Sequence, residues 1–144
     1  MAMIVAFALI ALLGLMALIR LAPSDPATWH VDPSEALPAE ISAGLVLRQE
    51  GGAFLLVPGD AAQSQASLQR LDAIALASDR TTRLAGSVPE GRITWVTRSA
   101  LWGFPDYTTA QITRQGLVLH ARLRFGKSDL GVNAARLADW QQRL

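Results

Sequence analysis

The first nineteen residues, Met1 to Ile19, hold no charged or strongly polar side chain, and Arg20 carries the first charge. As a helix rising 1.5 Å per residue, the segment covers roughly 28 Å, close to the ~30 Å hydrocarbon core of a bilayer. It is apolar on every face, which excludes an amphipathic helix lying in the interface. A cleaved signal peptide would begin with Lys or Arg, carry a shorter apolar run and end at a small-x-small site. This segment has no basic start, and Arg20-Leu21-Ala22-Pro23 offers no such site. Nineteen residues are also long for a helix buried in a core. The expectation is an uncleaved single-span transmembrane anchor over residues 1–20.

Composition narrows the function classes. Only 17% of the 144 residues are charged and the mean hydropathy is +0.26, so a disordered chain is excluded. A net charge of +1 gives no strong field for phosphate, and no nucleic-acid partner is expected. The absence of Cys removes disulfides, thiol catalysis, cysteine-ligated zinc and a lipoprotein anchor. The two histidines, His30 and His120, show no metal-ligand spacing, so no metal site is expected. There is no G-x-S-x-G elbow, P-loop or G-x-G-x-x-G, and His120 is the only base within the domain for a triad. Neither a catalytic residue nor a cofactor is assigned. The net charge also hides a split. Residues 1–60 hold two Arg against six acids, net −4, whereas residues 61–144 hold eleven Lys and Arg against six acids, net +5.

Residues 21–38 carry Pro23, Pro26, Pro33 and Pro38, which favours a semi-rigid tether over a helix. Trp29 and His30 within it are expected to pack on the domain or rest at a lipid interface. Residues 39–144 read as one domain. Leu45–Arg48 and Ala53–Val57 flank Glu50-Gly51-Gly52 as a hairpin. Ser67–Ser78 reads as a helix with Leu68, Leu71, Ile74 and Ala75 as its apolar stripe, Arg70 and Asp72 pointing away. Strands follow over Thr81–Gly86, Arg92–Ser99, Tyr107–Thr113 and Leu117–Phe125. A last helix runs from Asn133, the expected N-cap, to Leu144. The expected fold is α+β: the transmembrane helix, then a small antiparallel sheet packed against two or so helices.

The strand Leu117–Phe125 alternates Leu117, Leu119, Ala121, Leu123 and Phe125 with Val118, His120, Arg122 and Arg124. That is the pattern of a sheet with one buried and one wet side. Arg98, His120, Arg122, Arg124 and Lys127 are the candidate binding residues of a basic sheet face, since guanidinium forks bind carboxylate and phosphate. The expected contacts are the membrane through one span and an anionic lipid or an acidic surface of a membrane protein partner. Gly103-Phe104-Pro105-Asp106 reads as a β-turn. Lys127–Asn133 leads into the last helix, with Ser128 or Asp129 as a cap and Gly131 at positive φ.

Those two clusters also carry a family resemblance. LHARLRFGKSDLGVNAARLADW (Leu119 to Trp140), with GFPDYTTAQIT just ahead of it, resembles the domain of unknown function 1499 family. Gly126, Ser128, Asp129, Leu130, Gly131, Val132 and Asn133 match its long motif; Phe104, Pro105 and Asp106 match its short one. The match spans roughly Arg80 to Leu144. Tyr107 stands where a second Asp is frequent, the family's Cys-containing opening segment is absent, and Ala134 and Ala135 replace basic residues. The resemblance implies a bacterial or plastid envelope-type domain, often membrane-anchored, with no established reaction. Its motif residues are expected to be architectural.

Together these features point to a membrane-anchored, non-enzymatic envelope protein acting as a binding or accessory module through its basic sheet face. Its expected place is the bacterial inner membrane, single-pass, with the C-terminal domain in the periplasm. The competing readings are a small-ligand or lipid carrier, or a hydrolase, with a pocket between sheet and helices, and an accessory subunit of a larger membrane complex.

Overall fold

The computed structural model describes residues 1–144. Helix α1 (Ala2–Leu21) projects from the rest of the protein and meets it near its C-terminal end, where Ile19 is its one buried residue and Arg20 bonds the Leu101 carbonyl. A core helix would be covered. This one is long and apolar enough to cross a membrane and has none of its apolar window buried.

The remainder is a six-stranded antiparallel sheet with two helices on one face, the α+β arrangement the sequence implies. The strands are β1 (Leu47–Gln49), β2 (Gly52–Pro58), β3 (Thr81–Ser87), β4 (Arg92–Arg98), β5 (Pro105–Thr113) and β6 (Gly116–Leu123), in the order β1-β2-β6-β5-β4-β3. Helices α3 (Ala61–Leu76) and α4 (Val132–Arg143) pack on it. Between sheet and helices lie Leu55, Leu119 and Trp95 from the strands, Leu68 and Leu71 from α3, and Leu137 and Trp140 from α4. Trp95 and Trp140 meet edge to face at 5.7 Å between ring centroids, an arrangement that aromatic quadrupoles favour.

Four local features differ from the sequence reading, each for a physical reason. Helix α3 starts six residues earlier than expected. Asp60 caps it, its side chain accepting from the Gln63 N–H at 2.8 Å while Gln63 accepts from the Asp60 N–H at 2.9 Å. That reciprocal pair satisfies two donors that would otherwise be orphaned. Asp72 faces inward, 9% exposed, because it accepts from Trp95 Nε1 at 3.0 Å and pairs with Arg83. Pro105 opens β5 instead of sitting in a turn; a strand's first residue is a place where proline's missing N–H is tolerated. Asn133 is not the N-cap of α4. That position belongs to Gly131, at φ +83°, and Asn133 is buried as the second residue of the helix.

The proline-rich segment is also different from an extended tether. It forms a short helix, α2 (Pro26–Trp29), capped by Asp25, and a 3-10 turn (Pro33–Ala36), capped by Asp32. Both turns begin on a proline, which suits the first helical position. The segment lies across the second face of the sheet.

Candidate functional site

The expected wet, basic sheet face is covered. Trp29 stacks on Tyr107 with ring centroids 3.9 Å apart, and the Arg122 guanidinium sits 5.4 Å over the Trp29 ring. Arg122 Nη2 donates to the Trp29 carbonyl at 2.7 Å, and Thr109 Oγ1 donates to the same oxygen at 3.3 Å. His30 Nδ1 bonds the Thr94 hydroxyl at 2.9 Å, and Arg92 pairs with Asp32 at 3.2 Å. His120 stacks on Phe54 at 3.9 Å. Burial, aided by Arg122, pushes the His120 pKa down to about 4. Burial likewise lowers Arg122, and burial with Arg92 lowers His30. A guanidinium is easier to desolvate than an ammonium, which suits Arg122 to this place. Two candidate binding residues, His120 and Arg122, are thus turned toward the chain's own segment.

The other three lie at one end of the sheet. Arg124 donates to the Pro23 carbonyl at 2.8 Å and to the Tyr107 hydroxyl at 3.2 Å. Arg98 Nη1 donates to the Gly103 carbonyl at 3.0 Å. Lys127 is exposed in the loop between β6 and α4. Arg20, at the end of α1, donates to the Leu101 carbonyl at 2.7 Å. The β4–β5 loop, the β6–α4 loop and the exit of α1 therefore share one end of the domain.

Both sequence clusters meet at that end. Asp106, at the head of β5, accepts from Asn133 Nδ2 at 3.2 Å and lies 3.6 Å from Arg136 Nη2. Arg136 also donates to Asn133 Oδ1. Asp129 accepts from the backbone N–H of Gly131 at 3.1 Å and of Asn133 at 2.9 Å, so its carboxylate does the capping work at α4. Gly131 has φ +83°, and a Cβ there would run into the Arg48 guanidinium. Around these groups opens a cleft of about 250 Å³, lined by Ser99, Phe104, Leu123, Phe125, Ser128 and Val132 beside the two acids and Arg136. It lies at the end of the sheet–helix layer. The interior of that layer is filled by the core.

The two carboxylates differ. Burial pushes the Asp106 carboxyl above its ordinary value, and Arg136 and Asn133 pull it back only in part. Burial acts the same way on Asp129, but there the N–H donors of Asn133 and Gly131 win and hold it below. Burial lowers Arg136 against the pull of Asp106. The cleft thus joins an ionised, backbone-bonded carboxylate to a desolvated carboxylate–guanidinium pair, a setting suited to a small polar group. Of the motif residues, Phe104, Asp106, Ser128, Asp129 and Val132 line the cleft, and Asn133 ties its walls together. Pro105 starts β5, and Gly126 is in open space at φ +91°.

Arg136 and Arg20 were missed by sequence reasoning. A signal for Arg136 existed: three residues past Asn133 on a helix, it shares that residue's face. Arg20 reads only as the end of the apolar run. The rim of this end is apolar. Leu130 is 90% exposed and Leu101 66%, and Trp102, Phe104 and Phe125 form a chain of tilted rings 6.4 and 6.0 Å apart.

No curated protein and no solved structure matches the chain. One family model does match, over residues 24–144, so it takes in the segment that covers the sheet as well as both motif loops. The chain belongs to the family described as protein of unknown function, DUF1499.

Proposed function

We propose that this protein is a membrane-anchored, non-enzymatic binding module, held by α1 so that the loop end of its sheet meets the lipid surface. In this reading the cleft of Asp106, Asp129 and Arg136 holds a small polar group presented at that surface. The observation that carries it is the bond from Arg20 to the Leu101 carbonyl, supported by Arg124 on the Pro23 carbonyl. Together they join the exit of a spanning-length helix to the loops that line the cleft. The exposed Leu101 and Leu130, with Trp102 beside them, fit an interface where apolar tips and indoles are at home. Leu130 is held out at φ +53°, a conformation most residues avoid. Recognition through the basic residues then falls to Arg98, Arg124 and Lys127 at this end, with Arg122 and His120 serving the fold. The accessory role, the bacterial inner membrane and the periplasmic side belong to the same proposal, in keeping with the envelope character of the family resemblance.

Because the chain has no Cys, single labels are free of background. Full-length protein carrying Leu101→Cys, Leu130→Cys or, at the opposite end, Gln115→Cys is spin-labelled and reconstituted in vesicles. Labels at 101 and 130 should relax with oxygen, as lipid-immersed groups do, and the label at 115 should respond to aqueous nickel. Equal aqueous exposure at all three sites would defeat the proposal. Labelling of Gln115→Cys by an impermeant thiol reagent in spheroplasts, and not only after lysis, is the result expected for a periplasmic domain.

A further inference from the structure

A second cavity, of about 400 Å³, lies where α1 meets the β3–β4 edge, and three arginines converge on it: Arg20, Arg80 and Arg98. Each is held by a main-chain carbonyl. Arg20 donates to Leu101 at 2.7 Å, Arg98 to Gly103 at 3.0 Å, and Arg80 Nε to Arg98 at 3.1 Å. Backbone bonding returns the favour, the Arg98 N–H donating to the Arg80 carbonyl at 3.0 Å. Arg80 sits at φ +55°, a conformation L-residues adopt at a cost, so its backbone is held there by the surrounding chain and not by local preference. Gly103, at φ +73°, has no Cβ; one built there would come within 2.7 Å of Arg20 Cγ, so the glycine lets Arg20 approach.

Neutralising charge is nearly absent. Neither Arg20 nor Arg98 has a carboxylate within 4.0 Å, and Arg80 has only the exposed Asp79 at 3.9 Å. Three guanidiniums with spare N–H groups, gathered without acids beside them, make a wall suited to an anion. Ser99, also on the wall, accepts from the Phe104 N–H, which leaves its hydroxyl proton to donate.

We infer that this cavity binds a phosphate-class anion, and that its source is the phosphodiester headgroup of a lipid packed beside α1. The lipid source rests on the proposal that α1 crosses a membrane. Two observations favour it over free phosphate: one of the three arginines is the only charged residue of that helix, and α1 carries an apolar groove of about 390 Å³ over Gly14, Ala17, Leu18 and Leu21.

The test uses the full chain in nanodiscs of mixed phosphatidylglycerol and phosphatidylcholine, with the lipid retained on release read by native mass spectrometry. The natural chain should retain phosphatidylglycerol over phosphatidylcholine. Arg80→Gln with Arg98→Gln should cut that preference by about tenfold, from the attraction basic groups exert on anionic headgroups. Unchanged circular dichroism shows the fold intact; should the double variant not fold, Arg80→Gln alone, at a half-exposed side chain, carries the test with a smaller drop. Retention unaffected by either folded variant overturns the inference. Displacement by millimolar inorganic phosphate overturns the lipid source in favour of free phosphate. Extraction of the chain from membranes by alkali defeats the anchor reading instead, and phosphate calorimetry on the natural chain against Arg80→Gln then decides the cavity.

Discussion

Thr108 and Thr109 are neighbours on β5, 1% and 0% exposed, and they face opposite sides of the sheet. Thr108 looks into the helix-covered layer, beside Trp95 across the ladder, and its hydroxyl finds no partner. Thr109 looks into the layer under the proline-rich segment, where its hydroxyl bonds Thr94 at 2.9 Å and reaches the Trp29 carbonyl. One face is sealed by apolar side chains, the other by aromatic stacking and by arginines bonded to carbonyls. Burial alone does not distinguish them. What differs is how each seal responds when it is disturbed: the first by leaving a cavity, the second by re-exposing polar groups that water can satisfy.

The sharpest break is on the helix side. Trp95→Ala removes a fully buried ring, its contact with Trp140 and the donor that satisfies Asp72. Large aromatic truncations cost about 3–5 kcal/mol, and the loss of one of the Asp72 donors, which leaves Arg83 as its partner, adds to that. The expected loss is about 5 kcal/mol in the urea unfolding of the full chain in detergent. A loss under 2 kcal/mol would mean the helix layer is not the main seal.

Acid separates the faces next. The folded His120 pKa of about 4 lies below the ordinary 6.5, so the unfolded chain takes up the proton first. Stability from neutral His120 is therefore present above pH 6.5 and is lost as pH falls toward 4, up to about 3 kcal/mol. His30, lowered by burial and Arg92, pulls the same way. Asp106 opposes, since a carboxyl held above its ordinary value binds its proton in the folded state first. The clean measurement is the difference between the natural chain and His120→Gln across that interval. The variant should show a shallower fall, and parallel curves would remove His120 from the account.

How much of this was legible follows from range. The alternation from Leu117 to Phe125 is local, and it placed β6 with Leu117, Leu119 and Ala121 inward; the strand stops at Leu123, and Phe125 beyond it is 41% exposed where the pattern expects it buried. What covers the outward residues is not local: Arg122 and Trp29 are 93 positions apart. No periodicity joins a tryptophan after Pro26 to a tyrosine in β5, so the arginines read as solvated. Asp72 failed for a similar reason, since a buried acid on a helix makes sense only once Trp95 arrives from β4. The capping box at Asp60 and Gln63 was fully local and could have been read. At the site, the GFPD and GKSDLGVN runs drew attention separately. Their meeting depends on the Asp106–Asn133 bond across 27 residues, and Arg136 enters only when the helix brings its face round.

The smallest expected effect tests the comparison most directly. Thr→Cys exchanges a methyl and a hydroxyl for one thiol of similar total volume, and no other thiol competes. Thr109→Cys and Thr108→Cys therefore report the opening of the two faces by their rates of alkylation in the native state. Trp29→Ala removes the stack on Tyr107 and the surface beneath Arg122. Aromatic and cation–π pairs of this kind contribute about 1–2 kcal/mol together. In that background the thiol at 109 should react about tenfold faster, a factor equivalent to about 1.4 kcal/mol, while the thiol at 108 keeps its rate. Equal acceleration at both positions would mean that the segment and the helices form one cooperative unit, and that the two seals differ in chemistry alone. Acceleration at 109 only makes the covering segment a separately opening layer, able to expose Arg122 and His120 while the core behind them stays closed.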